Sequence, residues 1–287
     1  MEYKKELLKP KIDIVFHSLF REGNEDITKA IITAVTKEKI EKINLNNDRH
    51  LIGKYPEEKL GILDLKATLN GGVICNIEVQ LADNKDTAER FLHYWSRAYS
   101  GQLIRGDDYA KLNKVIGIVI LDYKFEKLRE IESMHTKWQI KETLTGKEIT
   151  LTDVFELHII EIPKAKRVLE KEENNEIAQW MTFLNNPNEE EVSEIMQKNE
   201  EIKKAMDKLY ELSQDEELRR VAELREKAIR DEKNGLRHAR EDGIKEAKIE
   251  IARNLLKLGY PMEEIIKVTE LSNNKLKELV QEINESK

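Results

Sequence analysis

Apolar residues recur at helical spacing in IDIVFHSLFR and again in EDITKAIITAVTK, and in the first segment Ile14, Phe16, Leu19 and Phe20 make one buried stripe. This pattern predicts two consecutive helices. The period then changes: IEKINLN, GILDLKATL, VICNIEVQL, KVIGIVILDY, TKWQIKE and ELHIIEI are rich in β-branched or apolar residues and are punctuated by turn signals, which predicts six strands. Between the third and fourth of these, DTAERFLHYWSRAYSGQLI sets Phe91, Leu92, Trp95, Tyr99 and Leu103 on one helical stripe, so a helix is expected to pack across the sheet. Beyond residue 190 the chain is highly charged and Pro261 is its only proline. The expected organisation is an α/β domain over 1–190, a charged helical connector over 191–252 and a small all-α module over 253–287.

The stretch GILDLKATLNGGVICNIEVQL carries the chemistry. Asn70-Gly71-Gly72 is a tight-turn signal between two strand-like runs, so a hairpin is expected. If these three residues form the loop, Leu69 faces Val73, and counting back along both strands sets Asp64 directly opposite Glu78. Strand alternation then places Asp64, Lys66, Thr68, Asn76, Glu78 and Gln80 on one face. Leu63, Leu65, Val73, Cys75, Ile77, Val79 and Leu81 share the other. A two-residue loop would shift the register by one and send the two acids to opposite faces. Exposed strands often carry charges, and a solvated face is the ordinary reading of such a row. Here Asn76, Glu78 and Gln80 fall in a segment whose length and central position mark an interior strand, which favours a site. Like charges directly opposite on a sheet destabilise it by up to roughly 1 kcal/mol, so a facing carboxylate pair calls for a proton, a basic partner or a cation. Magnesium prefers oxygen ligands, takes one or two carboxylates and keeps its remaining positions for water and phosphate oxygens, a coordination habit suited to phosphodiester hydrolysis.

Composition narrows the alternatives. With 49 Lys+Arg against 56 Asp+Glu the formal net charge is −7, so any contact with nucleic acid must come from local basic groups or bound metal. Cys75 is the single cysteine and the six histidines are scattered, which argues against a cysteine- or histidine-built metal site. The start, MEYKKELLKPKIDIVF, lacks the apolar core and cleavage site of a signal peptide, and VIGIVIL at 115–121 cannot span a bilayer; a cytoplasmic protein without membrane partners is expected.

At the hairpin the sequence resembles the PD-(D/E)XK nuclease superfamily, with Asp64 followed by Glu78-Val79-Gln80. More closely it resembles the branch of recombination-promoting nucleases and PD-(D/E)XK family transposases that carries E-x-Q. The blocks that match, in order, are KIDIVFHSLF, LDLKATLNGGVICNIEVQ, ERFLHYWSRAYSGQLIRGDDYAKLNKVIGIVIL and WMTFLNN at 180–186, which together span nearly the whole chain. The resemblance implies a restriction-endonuclease-like α/β core with a central mixed sheet flanked by helices. It also implies DNA cleavage dependent on Mg2+, with Mn2+ as a substitute, in recombination or mobile-element biology. The expected catalytic residues are Asp64, Glu78 and Gln80, with Asp64 and Glu78 as the metal ligands. Gln80 stands where the wider superfamily has a lysine; glutamine can hydrogen-bond and orient water but adds no positive charge, so weak activity is expected. Lys66 lies on the same face as Asp64, roughly 7 Å along the strand, and is an auxiliary candidate for the missing charge beside its ordinary role as a surface lysine. Asp13, in the first helix, is an auxiliary metal-ligand candidate beside a capping role. Tyr94 and Arg97 sit on a helix that could face DNA, whereas Phe91, Trp95 and Tyr99 are core candidates. Cys75 is read as packing.

The region after 190 fits a heptad poorly: Val221, Leu224 and Ala228 conform but Arg225 and Asp231 intrude, so a long self-pairing coiled coil is not expected. The end, IARNLLKLGYPMEEIIKVTELSNNKLKELVQEI, reads as a helix, a turn at Gly259, a helix from about Met262, a cap at Ser272 and a third helix. Leu255, Leu256, Leu258, Ile265, Ile266, Val268, Leu271, Leu276 and Leu279 are its expected core. The spacing fits a helix-turn-helix-like module. However, Arg253, Lys257, Lys267, Lys275, Lys277 and Lys287 are balanced by Glu263, Glu264, Glu270, Glu278, Glu282 and Glu285, which favours protein contact or homo-oligomerisation over DNA reading. The alternative to a nuclease is a non-catalytic DNA-binding or oligomeric assembly protein that keeps the fold.

Overall fold

The computed structural model describes residues 7–21, 23–46, 64–83 and 86–285. The strand-like runs form one six-stranded mixed sheet. Its members are β1 (Ile43–Asn46), β2 (Asp64–Leu69), β3 (Ile74–Gln80), β4 (Val115–Leu121), β5 (His135–Trp138) and β6 (Phe155–Glu161), in the order β1-β2-β3-β4-β6-β5. The β3/β4 and β4/β6 pairs are parallel and the other three are antiparallel. Every residue of β4 is buried, as its unbroken apolar run requires of a central strand covered on both faces.

One face carries the main core. Cys75, Ile77 and Val79 of β3 and Ile116, Ile118 and Ile120 of β4 meet α1 (Asp13–Phe20), α2 (Glu25–Thr36) and α5 (Glu176–Asn185). Phe16, Phe20, Trp180 and Phe183 are the large fillers. Phe20 lies between Phe16 (ring centroids 4.5 Å) and Trp180 (6.2 Å), so the first helix is locked to α5 by aromatic contact. The short α4 (Ala165–Leu169) leads into α5. The helices α6 (Glu190–Lys198) and α7 (Glu200–Leu212) follow it, and Val192, Ile195, Ile202, Ala205, Met206 and Leu209 join the same core. The opposite face is covered by α3 (Thr87–Ser100), where Phe91 packs with Val119, Leu121, Phe125, Leu128, Phe155, Leu157 and Ile159. The expected stripe on this helix is corrected at two positions: Leu92 is half exposed, and the helix stops at Ser100, before Leu103.

A 42-residue helix, α8 (Glu216–Lys257), follows, and the chain divides into two compact units at 229/230, well past the shift in composition near 190. The reason is that the charged helices before 230 are amphipathic and each buries an apolar stripe. The Arg225 that interrupts the heptad is itself buried, its Nε lying 3.4 Å from Asp13 Oδ2. In the second unit α9 (Met262–Thr269) and α10 (Asn273–Glu285) pack with the end of α8 around Ala252, Ile265, Leu276 and Leu279. The Ser272 hydroxyl accepts from the Lys275 N–H at the start of α10, as expected of a cap. Leu258 and Val268, expected in this core, are 74 % and 66 % exposed; the small Ala252 is fully buried, and the helical repeat sets Leu258 about 120° round from it, so that Leu255 and Leu256 pack on that side instead. Among the described residues no helix is long and apolar enough to cross a membrane.

Candidate active site

The hairpin register is set by its loop. Asn70–Gly72 form a single 3-10 turn in which Gly71 and Gly72 take positive φ (65° and 85°), a conformation that glycine adopts without strain. The Leu69 N–H donates to the Val73 carbonyl, and Asn70 is pinned from outside, its Oδ1 accepting from the N–H groups of Glu41 and Lys42. The loop therefore has three residues, and Asp64 pairs with Glu78, Leu65 with Ile77 and Lys66 with Asn76. The side chain of Asp64 lies outside the described residues, so its place is known from the strand register alone.

Glu78 and Gln80 are 2 % and 5 % exposed, because α3 closes over the face that they share with Val119 and Leu121. The polar row is thus buried rather than solvated. Gln80 Nε2 donates to Glu78 Oε1 at 2.5 Å, two residues apart on one strand face. The direction of α3 follows from its contacts. Trp95 Nε1 donates to the Val115 carbonyl at the start of β4, while Thr87 Oγ1 lies 3.2 Å from the hydroxyl of Tyr123, just beyond the end of β4. The helix runs antiparallel to β4 and sets its first turn over the carboxyl ends of β3 and β4, where Glu78 and Gln80 stand. The segment after β4 is anchored to β6: the buried Glu161, level with Leu121, accepts the Phe125 N–H at 2.8 Å and pairs with Lys164. Burial pushes the Tyr123 hydroxyl up to about 12; the Thr87 hydrogen bond opposes this, Asp83 and Glu78 add to it, and Arg90 draws it back. Tyr123 is a protonated donor at any physiological pH.

The auxiliary candidates fall differently. Asp13 begins α1, whose apolar side packs on the other sheet face, and its carboxylate is engaged by the Ile14 N–H (2.7 Å) and by Arg225. Lys66 is half-buried on the Asp64 face, opposite Asn76. Tyr94 is half-buried and Arg97 exposed, and Tyr99 stacks on Trp95 at 5.0 Å, as a core-flanking aromatic should. Cys75 is fully buried and its thiol is pushed well above the usual range, by burial first and then by Glu156 and Glu38, which makes it inert packing.

Sequence reasoning missed three features. Thr87, Arg90 and Tyr123 gather at the carboxyl edge of β3 and β4. The available signal was that residues just past the ends of parallel strands line ligand crevices in open α/β sheets. Lys11 joins three distant blocks, reaching Asp122 Oδ1 (2.8 Å) and Asn185 Oδ1 (2.9 Å), while the Asp122 N–H donates to the Gln80 carbonyl. On the main-core face, scattered histidines meet: Glu156 Oε1 lies 2.7 Å from His158 Nε2, and His158 Nδ1 lies 2.7 Å from His135 Nε2. Burial alone would raise the Glu156 carboxyl, but hydrogen bonds from His158, Lys137 and Lys114 hold it well below the usual carboxylate range.

Compared with known protein families, residues 10–239 match the model described as PD-(D/E)XK nuclease family transposase. Comparisons with curated proteins and with solved structures gave no match.

Proposed function

From the premise that this chain belongs to the PD-(D/E)XK nuclease family transposases, a membership that points to a nuclease or recombination-related role, we propose that it is a metal-dependent endonuclease that hydrolyses phosphodiester bonds in DNA. The observation that carries this reading is the pairing of Asp64 with Glu78 across the β2/β3 hairpin, with Gln80 two residues along the same buried face. The donor set fits a hard dication: two acids paired in register would supply oxygen ligands and leave the remaining positions for water and phosphate. Asp64 and Glu78 would hold Mg2+, or Mn2+ in its place. The chemistry that such an ion supplies when bound is a polarised phosphoryl oxygen and an attacking water of lowered pKa.

The chain's own groups do the rest. Gln80, its amide tied to Glu78 Oε1, fixes the rotamer of that carboxylate and leaves its own carbonyl oxygen to accept from a water. The closure of α3 over this face excludes bulk solvent, which strengthens every charge interaction there. The test is nicking of supercoiled plasmid: cutting should require Mg2+ or Mn2+, stop with EDTA and be lost in Glu78→Ala. Cutting that persists in EDTA or in that variant overturns the proposal.

The second reading, a DNA-binding or assembly protein without cleavage, draws on the same Gln80, whose amide brings no positive charge to the site. Salt-sensitive DNA binding without metal-dependent nicking would favour it. In either reading the small C-terminal unit, with its bases and acids in balance, is proposed as a homo-oligomer contact rather than a DNA reader.

A further inference from the structure

A phosphodiester approaching this site meets acids first. Asp64 pairs with Glu78 in the hairpin register, Asp83 follows the end of β3, Gln80 is neutral, and the whole chain carries −7. Substrate binding therefore needs a positively charged or hydrogen-donating wall close to those carboxylates. The orientation of α3 supplies a candidate. Thr87 is fully buried against Tyr123 at the carboxyl edge of the sheet, and Arg90 is three residues further on, one turn along the same side of the helix, next to the buried anchor Phe91. Tyr123 serves as a common reference point, since its hydroxyl feels Glu78, Asp83 and Arg90 together. Arg90 is half-buried.

We propose that Arg90 and Tyr123 form the phosphate-holding wall of the site, gripping the substrate backbone beside the Asp64/Glu78 pair. This rests on the nuclease reading. The planar guanidinium presents paired N–H donors that match two non-bridging phosphate oxygens, a geometry that an ammonium cannot copy. Thr87 can donate its own proton to the phenol oxygen, which leaves the Tyr123 O–H to donate to the same phosphate. The assignment does not require Arg90 to be idle in the free protein, because a carboxylate neighbour can be exchanged for the phosphate on binding.

The test is fluorescence anisotropy of a short labelled DNA duplex with the full chain, in Ca2+ to support binding without cutting, over a series of salt concentrations. Arg90→Ala should weaken binding about tenfold or more, the loss expected for a charged hydrogen bond. It should also flatten the slope of log K against log salt by about one, the signature of a single phosphate contact. Arg90→Lys should keep the slope and lose part of the affinity, and Tyr123→Phe should lose a few-fold in affinity with the slope unchanged. A merely structural arginine would lower the melting temperature without changing the slope. Wild-type affinity and slope in Arg90→Ala overturn the assignment, as does a slope that falls equally in Tyr123→Phe. The two readings fail separately. If the wild type never nicks plasmid in Mg2+ while the Arg90 slope change appears, cleavage is refuted and the wall stands. If nicking is metal-dependent and Arg90→Ala binds and cuts like wild type, the wall is refuted and the nuclease reading stands.

Discussion

Replacing Glu78 by glutamine should remove the protein's stability response to metal. The side chain is 2 % exposed and stands opposite Asp64 in the hairpin register, where the proposed cation site is placed. Glutamine keeps the shape and an oxygen able to accept from Gln80 Nε2 but removes the charge that a dication would bind. For a unit the size of residues 1–229, about 1 kcal/mol corresponds to about 2–4 °C in melting temperature. In the wild type, Mg2+ at a hundred times its dissociation constant should add about 2.7 kcal/mol, or about 5–10 °C on the same scale. Tryptophan fluorescence is the suitable probe, because Trp95, Trp138 and Trp180 all lie before residue 230 and report the first unit without interference from the second. The expected result is that Glu78→Gln gains less than half the wild-type increment on adding Mg2+. If it responds to Mg2+ as fully as wild type does, Glu78 is not part of a cation site.

Three other outcomes are expected. Burial, then the charges of His158, Lys137 and Lys37, lower His135 from 6.5 to about 4, so the folded state resists its protonation. Stability from this group is complete above pH 6.5 and drains away as pH falls from 6.5 through 4, by about 1–2 kcal/mol after discounting solvent screening; urea unfolding across this window should show the slope, and His135→Gln should flatten it. In Gly117→Ala the new Cβ would come within 2.8 Å of Leu157 Cδ1 between two central strands, so a loss of about 1–3 kcal/mol is expected in the same assay. In the second unit, Leu276→Ala should cost about 2–4 kcal/mol because Leu276 is fully buried, whereas Val268→Lys, at a position 66 % exposed, should leave far-ultraviolet thermal melting within about 0.5 kcal/mol of wild type.

The hairpin was legible because its turn chemistry is local. Asn70-Gly71-Gly72 dictates a loop length, loop length dictates register, and register alone brings Asp64 to Glu78. What the sequence hid is set by packing at a distance. Whether the Asn76-Glu78-Gln80 row faces water or α3 depends on where the crossover helix lands, and nothing in the strand itself encodes that. Thr87 and Arg90 read as an ordinary first helical turn until the antiparallel course of α3 carries them past the end of β4 to Tyr123. Arg225 reads as a break in a heptad because heptad logic assumes a helix that pairs with its own kind. In the fold its neighbour is Asp13, two hundred residues earlier in the chain. The exposed Leu258 and Val268 are the same error in reverse: both are apolar, but a three-helix unit this small has room for only part of its leucine and valine inside, and the helical phase relative to Ala252, Ile265, Leu276 and Leu279 decides which.

The two faces of the sheet show two treatments of a buried carboxylate. Glu156 is 2 % exposed and is surrounded by donors: Lys114 and Lys137 each lie 2.9 Å from Oε2, and His158 holds Oε1. Its charge is neutralised within the fold, which is why its carboxyl sits so far below the usual range and why it serves structure. Glu78 is equally buried, is paired in register with Asp64 across the hairpin and accepts a hydrogen bond from Gln80 along the strand. Both oxygens of Glu156 are thus engaged by side chains of the fold, whereas the hairpin register brings a second acid to the level of Glu78, which is the oxygen donor set that the proposed Mg2+ site requires. That is the physical reason to test the chemistry at Glu78 and not at the histidines.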